Sequence, residues 1–246
     1  MAVATSLGMA LLAGWACPAA MAAGCCDDPA KASAKPAFDP VGGLEFVDVQ
    51  AGGSGGPIVF LGDSLTQGPG IQPAQAYPAL IQQKLRTARL QFKTVNAGVG
   101  GNTSAQGLAR LDSALKLKPS ILVVNFGTND ANLRRAGASP TSEQLRLNID
   151  RIVTRAQARK VQVVLIATRL PSWYGSELVN GFARAFQSVA ISRHVPMAPG
   201  LLDGVWGHPE LWLPNGHPNA AGHRVIAENV WRVLQPVARK LGPKGR

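Results

Sequence analysis

The sequence predicts an α/β fold, a three-layer α/β/α sandwich around a five-stranded parallel sheet. Three observations lead there. Short apolar runs alternate five times with helical stretches, the signature of strands covered on both faces by crossover helices. At 246 residues, 46% of them hydrophobic and 16% charged, the chain can bury one domain's core with a leader to spare. The polar and glycine-rich motifs follow directly on the apolar runs, where an open parallel sheet builds its site.

The elements follow in order. Ile58-Val59-Phe60-Leu61 is a short apolar run stopped by Gly62 and reads as a buried strand. Tyr77 to Leu90 has a helical pattern, Phe92 to Ala97 is a second strand, and Ser104 to Leu117 a second helix. Ile121 to Val124 is the clearest strand. Ser139-Pro140 leads into a helix whose apolar residues fall at Leu145, Ile149, Ile152, Val153 and Ala156, one stripe of a 3.6-residue period. Val161 to Ala167 is a fourth strand, Phe182 to Ser192 a helix, and Val195 to Ala198 a short fifth strand. A last helix starts near Asn219, with its stripe at Ile226, Val230, Val233, Leu234 and Val237.

Ahead of this pattern lie segments of another character. Residues 1–24 read as an export signal: Leu7 to Ala23 is rich in Ala and Leu and ends in the small residues Ala20-Met21-Ala22-Ala23-Gly24. No Lys or Arg precedes the apolar run, and Gly8, Gly14 and Pro18 argue against a permanent membrane span. Ala22-Ala23-Gly24-Cys25 loosely resembles a lipoprotein processing site, so cleavage and lipid attachment at Cys25 both stay open. Residues 25–56 read as a linker, Pro- and Gly-rich around a short segment from Leu44 to Val49. The folded domain is expected over 57–241, with 242–246 as a tail.

All three cysteines, Cys17, Cys25 and Cys26, lie ahead of the domain, so the domain has no disulfide framework. The net charge of +11 is spread over predicted helices. It reads as a solvated basic surface or as attraction to anionic envelope material. No module or aromatic interleaving turns it into a nucleic-acid site. His194 and His208 lack partners at metal-ligand spacing.

Four motifs carry the chemistry, and each has a plain structural alternative. Gly62-Asp63-Ser64-Leu65-Thr66-Gln67-Gly68 lets a serine project from a sharp turn, or caps a helix through Asp63 or Ser64. Asn96-Ala97-Gly98-Val99-Gly100-Gly101-Asn102-Thr103-Ser104 can present a backbone N–H to an oxyanion, or is a turn before a helix capped by Thr103 or Ser104. Asn125-Phe126-Gly127-Thr128-Asn129-Asp130 can offer a side-chain amide to developing charge, or closes the strand as an Asx-turn. His217-Pro218-Asn219-Ala220-Ala221-Gly222-His223 opens the last helix, where the dipole disfavours an imidazolium. That suits a neutral general base at His217. His223, inside the helix, reads as packing.

Together and in this order the motifs resemble the SGNH (GDSL) hydrolases, in particular the bacterial secreted arylesterase and lysophospholipase/thioesterase branch. The resemblance runs from Pro57 to Val237. It includes Tyr77-Pro78-Ala79-Leu80, Thr103-Ser104-Ala105-Gln106-Gly107-Leu108-Ala109-Arg110-Leu111 and Trp173-Tyr174-Gly175. It implies a flavodoxin-like strand order and a serine hydrolase acting through an acyl-enzyme. Ser64 would be the nucleophile and His217 the base, with Ser64 N–H, Gly101 N–H and the Asn129 side chain forming the oxyanion hole. It implies no cofactor and no metal.

One departure stands out. The family carries Asp three residues before the histidine, and here Pro214 occupies that place in Pro214-Asn215-Gly216-His217. Three accounts compete: a backbone carbonyl between Trp212 and Asn215 orients the ring, giving a Ser–His dyad; Glu210 or Asp203 supplies the carboxylate; or activity is weakened or lost. Replacing a triad carboxylate by an amide can cost about ten-thousandfold when the wrong tautomer results. The sequence expectation is a working dyad on a small-molecule or lipid ester. Carbohydrate O-acetyl ester hydrolysis and a non-catalytic envelope-binding role are the alternatives. Envelope association would run through the basic surface or a lipidated Cys25.

Overall fold

The computed structural model describes residues 45–46, 55–137 and 141–242. The export signal at 1–24, Cys25, nearly all of the 25–56 linker, the Ser139-Pro140 lead-in and the tail beyond Gly242 lie outside the described residues. The strands are β1 (Glu45–Phe46), β2 (Ile58–Gly62), β3 (Thr94–Gly98), β4 (Ile121–Asn125), β5 (Gln162–Ile166) and β6 (Met197–Ala198). The helices are α1 (Ser64–Gln67), α2 (Tyr77–Thr87), α3 (Ser104–Ala109), α4 (Leu111–Lys116), α5 (Thr128–Arg135), α6 (Ser142–Ala158), α7 (Ser176–Ser192) and α8 (Ala220–Leu241). None of these helices is long and apolar enough to cross a membrane.

The sheet order is β1-β3-β2-β4-β5-β6. β2 to β6 are parallel, in the flavodoxin-like order, and the chain reverses direction of travel across the sheet at β2. The short Leu44–Val49 segment contributes a sixth strand: β1 runs antiparallel at the edge, with Glu45 opposite Asn96 and Phe46 opposite Val95.

Strand side chains alternate between two cores, as the two-residue period requires. Val59, Leu61, Leu122, Val124, Val163 and Leu165 face α4, α6 and α7. Ile58, Phe60, Ile121, Val123, Val164 and Ile166 face α2 and α8. The stripe on α6 is fully buried. On α8, Ile226, Val230 and Leu234 are fully buried, whereas Val233 and Val237 pack at the margin.

Three helices differ from the sequence pattern. The Ser104–Leu117 helix is split at Arg110, whose backbone leaves helical geometry (φ −102, ψ 8). Its side chain is held by three acceptors outside the helix. α7 begins at Ser176 rather than Phe182; its first residues are exposed or half-buried, and its buried face starts at Gly181, which lies against Ser142 of α6. α5 is absent from the pattern because it has no apolar stripe; its buried residues are Asp130 and Ala131.

Candidate active site

The C-terminal ends of β2, β3 and β4 converge on Ser64. β2 ends at Gly62, and Asp63 caps α1 by accepting from Leu65 N–H through Oδ1 at 2.9 Å. Ser64 is the first residue of α1, so its own N–H has no acceptor within that helix. The helix is held against β3: Asn96 Nδ2 donates to Thr66 O at 2.9 Å, and Gly98 passes so close that a Cβ there would lie 2.3 Å from Gln67 N. Only glycine permits that approach.

The loop after β3 turns through Gly101 at φ 74, with Asn102 N–H donating to Val99 O at 3.2 Å. This is a type II turn, which needs a glycine at that position. A Cβ on the neighbouring Gly100 would lie 3.9 Å from Ser64 Cβ, so the turn sits beside the serine. Thr103 caps α3 through a reciprocal capping box with Gln106.

Asn129, in the first turn of α5, closes the group. Its Nδ2 donates to Asn102 O at 2.9 Å and stands 3.4 Å from Asp63 Oδ2. Asp130 anchors the same turn, accepting from Ser104 N–H at 2.9 Å and from its hydroxyl. Ser64, Gly101 and Asn129 therefore share one rim of the sheet, although 37 and 28 residues separate them along the chain.

His217 approaches from the loop before α8. Leu213 N–H donates to His217 O at 2.8 Å, and Trp212 pairs with Pro218, so the loop is a tight hairpin. The loop meets the segment after α1: a Cβ on Gly70 would lie 3.1 Å from Asn215 Nδ2 and 2.8 Å from Leu213 Cδ1. Tyr77 ties the two regions from below, through its hydroxyl to Thr66 Oγ1 at 2.9 Å and through its N–H to His223 Nδ1 at 3.2 Å. His223 is fully buried packing, and burial pushes its ring down to about 4.

The ring of His217 is oriented by a main-chain atom. Nδ1 lies 3.2 Å from the Asn215 carbonyl, and Asn215 Oδ1 accepts from His217 N–H at 3.1 Å. Neither of the other two orienter candidates reaches it. The Glu210 carboxylate is 3.1 Å from His208 Nδ1, and Asp203 lies 3.4 Å from Arg169. Half-burial lowers the His217 pKa below its usual 6.5, and the Asn215 bond works against that fall. Ser64 and the His217 ring are not hydrogen-bonded to each other here; catalytic bonds are often loose before substrate closes on them.

Asp63 is wholly buried and its pKa is raised to about 7, chiefly by desolvation. Leu65 N–H and Arg110 oppose the rise, and Asp130 adds to it. Neither the Asp63–Asn129 contact nor the role of Arg110 follows from sequence reasoning; the one available signal is that both residues lie inside the motif stretches.

A shallow pocket with an internal volume of only about 10 Å³ opens beside Leu65, lined by Thr128, Thr168, Leu170, Leu201 and Trp206 among others. Trp206 belongs to an aromatic row, edge-on to Trp173 at 5.5 Å and 4.8 Å from Trp212. A larger groove of about 560 Å³ runs between α2 and α8 past Lys84, Glu228 and Trp231. It holds none of these site residues, so size alone does not mark the chemistry. Among the described residues no cluster of three or more His, Cys, Asp or Glu could hold a metal ion.

The GDSL-like Lipase/Acylhydrolase family model matches residues 60–225, from β2 through the His217 loop. The chain belongs to that family. It is similar to the esterase TesA of Pseudomonas aeruginosa, 34% identical over 182 residues, covering 73% of this chain and 88% of that one. It is also similar to the thioesterase 1/protease 1/lysophospholipase L1 of Escherichia coli K12, 32% identical over 182 residues, covering 73% and 84%. A crystal structure of TesA superposes with a TM-score of 0.69 at 32% identity, covering 74% of this chain and 99% of the other. This GDSL-like acylhydrolase is thus an SGNH-type carboxylic ester hydrolase on the expected α/β scaffold.

Proposed function

We propose that this hydrolase is an exported enzyme that cleaves acyl esters through a Ser64–His217 dyad in which no carboxylate touches the histidine. The observation that carries the reading is the contact between His217 Nδ1 and the Asn215 carbonyl. A carbonyl only accepts, so the proton resides on Nδ1 and the lone pair of Nε2 is left for the serine. The lowered pKa of His217 keeps the ring neutral near pH 7, as a base requires.

The chemistry then runs in two halves. Ser64 Oγ bonds to the acyl carbon as its proton passes to Nε2, and the carbonyl electron pair moves onto oxygen. Ser64 N–H, Gly101 N–H and Asn129 Nδ2 hold that oxyanion. Its collapse expels the alcohol or thiol, which takes the proton from His217. Water repeats the sequence on the acyl-serine and releases the acid.

The relatives' names, an esterase and a thioesterase/lysophospholipase, support small-molecule or lipid acyl esters as the substrate class. The leader at 1–24 supports export, and the +11 charge supports contact with anionic envelope material. A fluorophosphonate probe tests the dyad: it labels the wild type, labels His217→Ala far more slowly, and leaves Ser64→Ala unlabelled. Labelling that persists in Ser64→Ala overturns the assignment. An acyl panel from acetate to medium-chain esters, run beside acetylated polysaccharide, separates the proposed substrates from carbohydrate O-acetyl esters.

A further inference from the structure

We propose that Arg110 is a positioning residue for the oxyanion hole, a role that rests on the reading of Gly101 and Asn129 as oxyanion donors. Arg110 stands at the break between α3 and α4, partly buried, and spends each edge of its guanidinium on the architecture behind Ser64. Nη2 donates to Gly62 O at 2.6 Å, at the end of β2 and two residues before the nucleophile. Nη1 donates to Ala97 O at 2.8 Å, near the end of β3. Nε donates to Asn102 Oδ1 at 2.7 Å, in the residue that follows Gly101. The guanidinium carbon lies 5.8 Å from the Phe126 ring centroid, in the loop that leads to Asn129.

One planar group therefore fixes both strand ends and the glycine turn relative to each other. The connection to Asn129 passes through Asn102. Its side chain is held by Arg110, and its carbonyl accepts from Asn129 Nδ2 at 2.9 Å. That bond holds one N–H of the Asn129 amide; the other makes only a long, 3.4 Å contact with Asp63 Oδ2 and is the one an oxyanion would take over. If Asn102 is released, the Asn129 amide loses its fixed partner and the Gly101 N–H loses its fixed turn. An ammonium cannot replace this fork, because a lysine offers a point charge rather than three donors in a plane.

The test is a double-mutant cycle on a small soluble ester such as 4-nitrophenyl acetate, with Arg110→Met, Asn129→Ala and the double variant. Arg110→Met is expected to lower kcat by tenfold or more with KM changed less than twofold. In the Asn129→Ala background the same substitution is expected to cost at least threefold less than in the wild type, since the share carried through the Asn129 amide is gone and only the share through the Gly101 turn remains. Arg110→Lys is expected to restore little. A role confined to global stability predicts the opposite: the loss in active protein multiplies the Asn129→Ala loss in full. Full additivity therefore overturns the positioning role while leaving the oxyanion hole intact. An Asn129→Ala variant with undiminished kcat overturns the oxyanion reading itself. If Arg110→Met does not fold, Asn102→Ala removes only the Nε acceptor and the same cycle is run with it. Additivity there counts equally against the proposal.

Discussion

The buried carboxyl of Asp63 makes a prediction in which stability and activity move in opposite directions. Its pKa rises from 3.8 to about 7 on folding, mainly because no water reaches it. Between those values the folded chain holds a proton that the unfolded chain has released. Stability from this group is full below the unfolded value, falls as pH rises toward 7, and is flat above it. At ~1.36 kcal/mol per pH unit the fall comes to about 4 kcal/mol. Asp63→Asn removes the titration and keeps the acceptor for Leu65 N–H, so the variant should lose that slope and be the more stable protein above pH 7. Asp130, also raised by burial, titrates with the same sign and leaves part of the slope in both proteins. The cost falls on catalysis: an amide Nδ2 would face Asn129 Nδ2 across a 3.4 Å gap now spanned by a donor and an acceptor. Losing one oxyanion donor costs on the order of a hundredfold in kcat, and a mis-aimed one costs a share of that. Urea unfolding of both proteins from pH 4 to 8, beside kcat at pH 7.5, measures the two effects. Parallel stability–pH curves would refute the buried, protonated state of Asp63.

Three further outcomes follow from the site. The acid limb of kcat/KM should lie below pH 6.5, because desolvation lowers the His217 pKa and no carboxylate raises it; a limb above 7 in the pH–rate profile would mean that an acid partner engages the ring. Pro214→Asp places a carboxylate at the family position on an exposed loop. There it should move that limb upward by less than about one pH unit, since solvent screens much of the charge; an unmoved limb would show that the loop cannot bring residue 214 to Nδ1. Gly98→Ala pushes a Cβ into the α1 backbone at Gln67. It should destabilise the chain by about 1–3 kcal/mol in urea unfolding and lower kcat through Ser64, so a variant of unchanged stability and rate would contradict the close approach.

The fold was legible because its evidence is local. The runs at 58–61 and 121–124 are too apolar and too short for anything but buried strands, and the stripe on α6 needs only its own spacing. α5 escaped because tertiary bonds, not an apolar face, hold it. Its Asp130 is fixed by Ser104 and its Tyr174-side edge by Asn132, which accepts from the Tyr174 hydroxyl at 2.7 Å. The edge strand β1 escaped because two residues carry no readable period. The four motif loops were legible as loops after strands, since glycine and asparagine punctuate them.

What sequence order hides is which carbonyl faces which donor. The missing Asp before His217 reads in the sequence as a deficit with three competing accounts. In the fold the ring meets the Asn215 main chain, a partner that every residue type supplies and that no motif can record. The same holds behind the proposed oxyanion hole, where Arg110 reaches Gly62 O and Ala97 O across 48 and 13 residues of chain. Both contacts use backbone acceptors, so neither requires a matching residue at the far end. An active site braced in this way asks no hydrogen-bonding side chain of the partner but a specific one of the donor. Substitutions at Asn215 that preserve the hairpin should therefore matter less than loss of the guanidinium at 110, a ranking opposite to the one that distance in sequence from His217 suggests.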